Sequence, residues 1–391
     1  MSALLEKVED TYYKFVPHEG AKTLALIFSS VGMQPGKFVF YKQTIDLPVH
    51  KLYLNDKNTW YQDGIEGLGV TVEETVQEIN ELKKRLGADN IITIGSSMGA
   101  YAAIMYGALL NCKVLSFGAR VVLGTRGSQS FRLAKSGYQF KYKSIVPLVE
   151  KSECSILSYQ GETDYNDLLA VQQLSHLPNV QCISMKGIAH KTPLYLSKKY
   201  GFKRILSDFI DGTPFVEMPE KSTMSNGVRD KVLAALDLIE VKNFVDAKEL
   251  VSRAADLEPD NDIVHHVLGI TLYHLKEHKE AYIHQKRATE LSPHNEKAHH
   301  HLGICLRAIG RYKESYEANK IAYELDPKLA SAYHHAGLAL EKLGEHDDAE
   351  KEFRQAYSLA KHKKNYRDKF AEVLKYNSEK RIEEVKELLE V

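Results

Sequence analysis

Basic and acidic residues balance at 52 each, so the chain carries no formal net charge. It has no Lys/Arg block and no basic stripe interleaved with aromatics, which argues against a nucleic-acid footprint. No window reaches the roughly 18 apolar residues that a membrane span needs. The N-terminus, Met-Ser-Ala-Leu-Leu-Glu-Lys, lacks the basic and apolar regions of a secretory leader. Cysteine is scarce: Cys112, Cys154, Cys182 and Cys305 lie far apart without a CxxC pair. That pattern predicts reduced, structural thiols in a cytoplasmic protein rather than a disulfide framework or a thiolate metal site. No cofactor or metal is expected.

A composition of 43% apolar and 27% charged residues over 391 positions is enough for two or three globular cores. From about residue 20 to 212, short β-rich runs alternate with amphipathic stretches. The runs are Leu24–Phe28, Leu52–Leu54, Ile91–Ile94, Val114–Phe117, Ser155–Tyr159 and Val180–Met185. Between them lie Val72–Leu86, Ala100–Leu110, Asp167–Leu177 and Leu194–Ile210, each of helical length. Such alternation predicts an α/β domain over 1–212 with a mostly parallel sheet covered on both faces. Thr11–Val16 is placed as an antiparallel edge strand. The segment 213–227, with two prolines among polar residues, is expected to be a linker.

Beyond residue 228 the strand signals stop and a repeat begins. Gly269, Gly303 and Gly337 recur every 34 residues, as do Pro259, Pro293 and Pro327. Ala254, Ala288, Ala322 and Ala356 keep the same period, and so do Ala247, Ala281 and Ala349, with Ser315 in the missing slot. A small residue lets two helices cross closely, and a proline cannot continue the second helix. These four ladders resemble the tetratricopeptide repeat (TPR), which implies an all-α solenoid. Four hairpins are expected over 228–363, with Ala235 in the first glycine slot and Lys361 in the last proline slot, followed by capping helices over 364–391.

The N-terminal half carries one strong chemical motif. The strand Ile91-Ile92-Thr93-Ile94 runs into Gly95-Ser96-Ser97-Met98-Gly99 and then into an alanine-rich stretch. A G-x-S-x-G turn between strand and helix is a nucleophile elbow, in which the residues two before and two after the serine must be small. The spacing selects Ser97 over Ser96. This context resembles that of α/β-hydrolases of the serine esterase type, and the resemblance covers roughly residues 20–212. It implies a serine–acid–histidine order along the chain. In that order Asp164, three residues past Gly161, is the first choice for the acid, with Glu162 and Asp167 competing. His190, in the loop after Val180–Met185, is the expected base. The oxyanion donors would be the backbone N–H groups of Met98 and of Ser30 or, second, Ser29; the His-Gly pair of many esterases is absent there.

Trp60 and Tyr61, on the loop after Leu52–Leu54, are candidates for walls of a substrate pocket. Only about 35 residues separate Phe117 from Cys154, too few for a large lid. Thirteen of the 17 histidines fall between residues 265 and 362, and His266, His300 and His334 share one slot at the repeat period. By resemblance that slot faces the partner groove, so these three are expected to contact a protein or peptide. Equivalent slots on packed helices lie about 8–10 Å apart, which is poor chelation geometry.

The sequence therefore predicts a serine hydrolase cleaving a carboxylic ester or thioester through an acyl-enzyme on Ser97. The array would serve partner binding or homo-oligomerisation. The alternatives are an acyltransferase using the same triad, or a non-catalytic scaffold whose array binds a protein.

Overall fold

The computed structural model describes residues 10–57, 59–125, 128–213, 218 and 221–389. The chain divides into two compact units, Met1–Thr223 and Met224–Val391. The division falls inside the expected linker, part of which (214–217 and 219–220) lies outside the described residues.

The N-terminal unit is built on a seven-stranded sheet. Its strands are β1 (Tyr13–Val16), β2 (Thr23–Phe28), β3 (His50–Leu54), β4 (Asn90–Ser96), β5 (Lys113–Phe117), β6 (Ser155–Gly161) and β7 (Val180–Met185). The spatial order is β1-β3-β2-β4-β5-β6-β7. All neighbours are parallel except β1, which lies antiparallel on β3 at the edge, as its position ahead of the first parallel strand predicted.

Eight helices accompany this sheet among the described residues: α1 (Tyr41–Thr44), α2 (Val72–Leu86), α3 (Met98–Leu109), α4 (Gln129–Lys135), α5 (Val146–Glu150), α6 (Tyr165–Leu174), α7 (Thr192–Tyr200) and α8 (Phe202–Ile210). Alternation along β2 sends Leu24, Leu26 and Phe28 to one apolar layer, with Ile79 of α2 and Ala103 of α3. Ala25 and Ile27 go to the other, with Leu196 of α7 and Phe202 and Leu206 of α8. Helix α3 is buried on every side from Met98 to Ala108, which explains its run of alanines and its lack of an apolar stripe. The single helix expected over Leu194–Ile210 is instead two, broken at Gly201, whose φ of 81° is outside the helical region. Between β5 and β6 the described residues form the short helices α4 and α5.

From β2 the chain first goes outward to β3 and then crosses back to β4 on the other side. The carboxyl ends of β2 and β4 thus face a point where the winding reverses, the position where open α/β sheets form crevices.

The C-terminal unit is all-helical among the described residues. Its hairpins are α9 (Asn226–Glu240) with α10 (Phe244–Leu257), α11 (Asp262–His274) with α12 (His278–Leu291), α13 (Glu296–Ala308) with α14 (Tyr312–Leu325), and α15 (Ala330–Leu343) with α16 (His346–Leu359). One continuous helix, α17 (Lys364–Leu389), follows in place of the several capping helices expected. Each repeat glycine is where the two helices meet. A Cβ on Gly303 would stand 2.1 Å from Asn319 Nδ2, and one on Gly337 would stand 2.8 Å from a ring carbon of Phe353. The alanine ladders are fully buried at Ala247, Ala281, Ala288 and Ala322. Among the described residues no helix is long and apolar enough to cross a membrane.

Candidate active site

Ser97 lies between β4 and α3 with φ 56° and ψ −117°, a conformation unfavourable for any L-residue. The turn is possible only because its flanks lack side chains. A Cβ on Gly95 would stand 2.0 Å from the Gly99 carbonyl oxygen, and one on Gly99 would stand 2.2 Å from the Phe28 carbonyl oxygen. The Ser97 N–H donates to the Phe117 carbonyl at 2.9 Å, which fixes the elbow to β5.

The exits of β6 and β7 are tied to each other. The Glu162 N–H donates to the Met185 carbonyl at 3.1 Å, and the Thr163 N–H to the Ile188 carbonyl at 3.1 Å. This brace brings His190 to both its partners: Nε2 lies 2.9 Å from Ser97 Oγ, and Nδ1 lies 2.7 Å from Asp167 Oδ1. Asp167 is fully buried, and its second oxygen accepts from the Gly161 N–H at 2.9 Å.

The carboxylate on the histidine is therefore Asp167, not Asp164, the first expectation. Asp164 caps α6, its Oδ1 accepting from the N–H groups of Asn166 at 2.9 Å and Asp167 at 3.3 Å. Asp164 thus lies near the imidazole but is held by its own helix N-terminus, whereas Asp167, one turn further on, makes the hydrogen bond to the ring. Glu162 is also buried but pairs with the hydroxyl of Ser222.

Burial alone would lower the pKa of His190. The charge of Asp167 and its hydrogen bond outweigh that effect and raise it, with a further push from Asp164 and an opposing one from Arg120. For Asp167, burial raises the carboxyl and prevails over the pull of His190. Asp164, Asp167 and His190 also bring three possible metal-ligand atoms within 4.8 Å of one another. Asp167 and His190 are engaged with each other and with Ser97, and chelation through the imidazole there would break that relay.

Of the expected oxyanion donors, Met98 is the first residue of α3, where N–H groups are free of intrahelical partners. Ser30 is tied to the elbow through its hydroxyl, which donates to the Ser96 carbonyl at 2.8 Å. Ser29 is excluded as a donor, because its N–H is spent on the Leu54 carbonyl at 2.9 Å. Its hydroxyl and carbonyl are engaged as well, with the Val39 N–H and the Tyr61 hydroxyl.

Trp60 and Tyr61 do not wall a pocket; both are buried in the core. The Tyr61 hydroxyl donates to the carbonyls of Ser29 and Leu54 at 3.0 and 3.1 Å, and Trp60 packs edge-on to Tyr101 at 5.9 Å between ring centroids. They hold their loop against β2, β3 and α3. Sequence reasoning missed Gly118 and Arg120, just past β5. The available signal was their place at the carboxyl end of the strand beside the nucleophile strand.

The array histidines also differ from expectation. His266 and His300 lie inside their hairpins, with Nδ1 at 3.0 Å from Gln285 Oε1 and 2.9 Å from Asn319 Oδ1. His334 stacks on Tyr366 at 4.6 Å. His266 and His300 are thus buried and hydrogen-bonded within the array, and His334 is half-buried against Tyr366. Their sequence neighbours His301 and His335, with His274, Tyr273 and Cys305, line a cavity of about 240 Å³. Burial lowers His266 and His334 to about 4 and His335 to about 2, so these rings are neutral at pH 7.

The tetratricopeptide repeat family matches residues 330–363. The C-terminal unit carries a TPR. No curated protein matches the sequence. Among solved structures, the chain resembles MamA from Desulfovibrio magneticus RS-1, at 18% identity and TM-score 0.37 over 43% of this chain and 96% of that one. It also resembles PilF of Pseudomonas aeruginosa, at 19% identity and TM-score 0.37 over 39% and 70% of the two chains. A thermophilic TPR protein of Thermus thermophilus matches at 22% identity and TM-score 0.35 over 40% and 85%.

Proposed function

We propose that the N-terminal unit is a serine hydrolase of the α/β-hydrolase type that cleaves a carboxylic ester or thioester. The observation that carries this reading is the relay from Ser97 Oγ to His190 Nε2 at 2.9 Å and from His190 Nδ1 to Asp167 at 2.7 Å. A serine hydroxyl becomes a useful nucleophile when an oriented imidazole takes its proton. In the proposed reaction Ser97 Oγ attacks the carbonyl carbon as its proton passes to His190. The N–H groups of Met98 and Ser30 receive the developing oxyanion. His190 then protonates the leaving alcohol or thiol, later takes a proton from the water that attacks the acyl-enzyme, and returns that proton to Ser97 Oγ as the acid departs. Asp167 holds the tautomer that keeps Nε2 open to the serine.

The C-terminal unit would bind a protein partner, a role that the repeat match supports. The cavity lined by His274, His301 and His335, not the ladder at His266, His300 and His334, is the surface offered to it.

A fluorophosphonate probe tests the enzymatic reading. Full-length protein should be labelled on Ser97, and labelling should vanish in Ser97→Ala while the circular dichroism spectrum is retained. An unlabelled wild-type protein would leave the scaffold alternative, in which the array's binding role is the whole function.

A further inference from the structure

The loop leaving β5 carries a cation that the relay does not use. Gly118 presses on the imidazole: a Cβ there would stand 2.9 Å from both Nδ1 and the carbonyl oxygen of His190. Two residues on, Arg120 is half-buried, and its Nη1 is shielded from solvent with no hydrogen-bond partner among the described residues. The carboxylates nearest the relay are otherwise engaged, Asp167 with His190 and Gly161 and Asp164 with the start of α6. A guanidinium cannot shed its charge, so a donor nitrogen of it that is cut off from water without a partner is unfavourable. It also acts against protonated His190, which the proposed chemistry must form. It therefore lies within electrostatic range of the relay, on the loop whose Gly118 touches His190, with one donor nitrogen that no group of the described residues uses.

We propose that Arg120 recognises an anionic group on the substrate, so that the site takes esters bearing a carboxylate or a phosphate close to the scissile bond. This rests on the hydrolase reading of Ser97. The planar fork of donors matches two coplanar oxygens, and a charge-assisted pair of this kind is among the stronger hydrogen-bonded contacts. An anion beside the guanidinium would also offset its effect on the imidazolium, so that an anionic substrate would ease the proton transfer that a neutral one meets unaided.

The experiment compares isosteric esters on full-length protein. Mono-p-nitrophenyl adipate against p-nitrophenyl hexanoate places the charge on the acyl side. 4-Acetoxybenzoate against 4-acetoxybenzamide places it on the leaving group. At least one anionic member should be preferred by about tenfold or more in kcat/KM. That preference should collapse in Arg120→Gln and survive in part in Arg120→Lys. The acid limb of the pH profile should also move to higher pH in Arg120→Gln, which a merely structural role would not cause. A preference absent from both pairs, or a fall in both members of a pair that leaves their ratio intact, overturns the proposal. If wild type turns over none of the four, the hydrolase reading fails by itself. The anion site is then decided by whether adipate, and not 1,6-hexanediol, raises the melting temperature of Ser97→Ala but not of Ser97→Ala/Arg120→Gln. Should Arg120→Gln not fold, Arg120→Met carries the same ratios.

Discussion

At the scale of single residues, two aspartates three positions apart do different work, and the difference is measurable. The proposed chemistry needs the tautomer that Asp167 imposes on His190. Asp167→Asn should therefore lower kcat on a p-nitrophenyl ester by on the order of 10³–10⁴-fold, with the fold intact by circular dichroism. Asp164→Asn keeps a helix-capping side chain and should leave kcat within about threefold, since asparagine caps as well as aspartate. It removes a charge that raises His190, so its acid limb should move to lower pH than in wild type. The base must be neutral to act, and its pKa is raised above 6.5. Wild-type kcat/KM should thus rise with pH through a midpoint above that value. Ser97 and His190 are legible in the sequence because each follows a strand directly, where two or three residues fix the position. The acid is not. Asp164 and Asp167 both sit at the start of a helix, and which carboxylate turns inward depends on which one the helix N-terminus captures.

At the scale of elements, the elbow and the hairpins use glycine for the same reason, the close approach of two backbones or helices, but against neighbours of different stiffness. A methyl on Gly99 would run into the Phe28 carbonyl, which belongs to the central strand β2 and cannot move aside. Gly99→Ala should cost several kcal/mol or prevent folding of the N-terminal unit, read from its denaturant midpoint. A methyl on Gly303 would meet chiefly the end of the Asn319 side chain, with the Ser315 carbonyl oxygen next at 3.0 Å. Gly303→Ala should be milder, about 1–3 kcal/mol, through loss of the His300–Asn319 hydrogen bond. The strands and the repeat were readable because alternation and a 34-residue period recur many times, so that local irregularities do not hide them. The break at Gly201 and the single long helix at the C-terminus were not, since each is one event with no periodicity behind it.

At the scale of the whole molecule, acid should act on the C-terminal unit through its neutral histidines. His266, His284 and His334 are lowered by burial to about 4 in the fold, whereas they titrate near 6.5 when exposed. The unfolded chain then binds more protons than the folded one between those values. The stability they contribute is present above about pH 6.5 and is lost as the pH falls toward 4. Helical circular dichroism of the array should show a melting temperature that falls steadily from pH 7 to pH 4.5, with His266→Gln and His334→Gln flattening the slope. A slope unchanged in those variants would mean that other groups govern acid unfolding.

The sequence by itself determined the parallel sheet with its antiparallel edge, the repeat, the elbow serine and the histidine that meets it. All of these follow from patterns whose meaning lies in neighbouring residues or in a fixed spacing. Only the tertiary structure decided which acid orients the imidazole, that Trp60 and Tyr61 support a loop from within the core, and that the ladder histidines close hairpins while the rings next to them line the cavity. Those outcomes depend on which of several nearby polar groups is paired with which hydrogen-bond partner in three dimensions. A one-dimensional pattern does not carry that competition, because the partners, Gly161 and Ser29 among them, are brought close only when the strands are laid side by side.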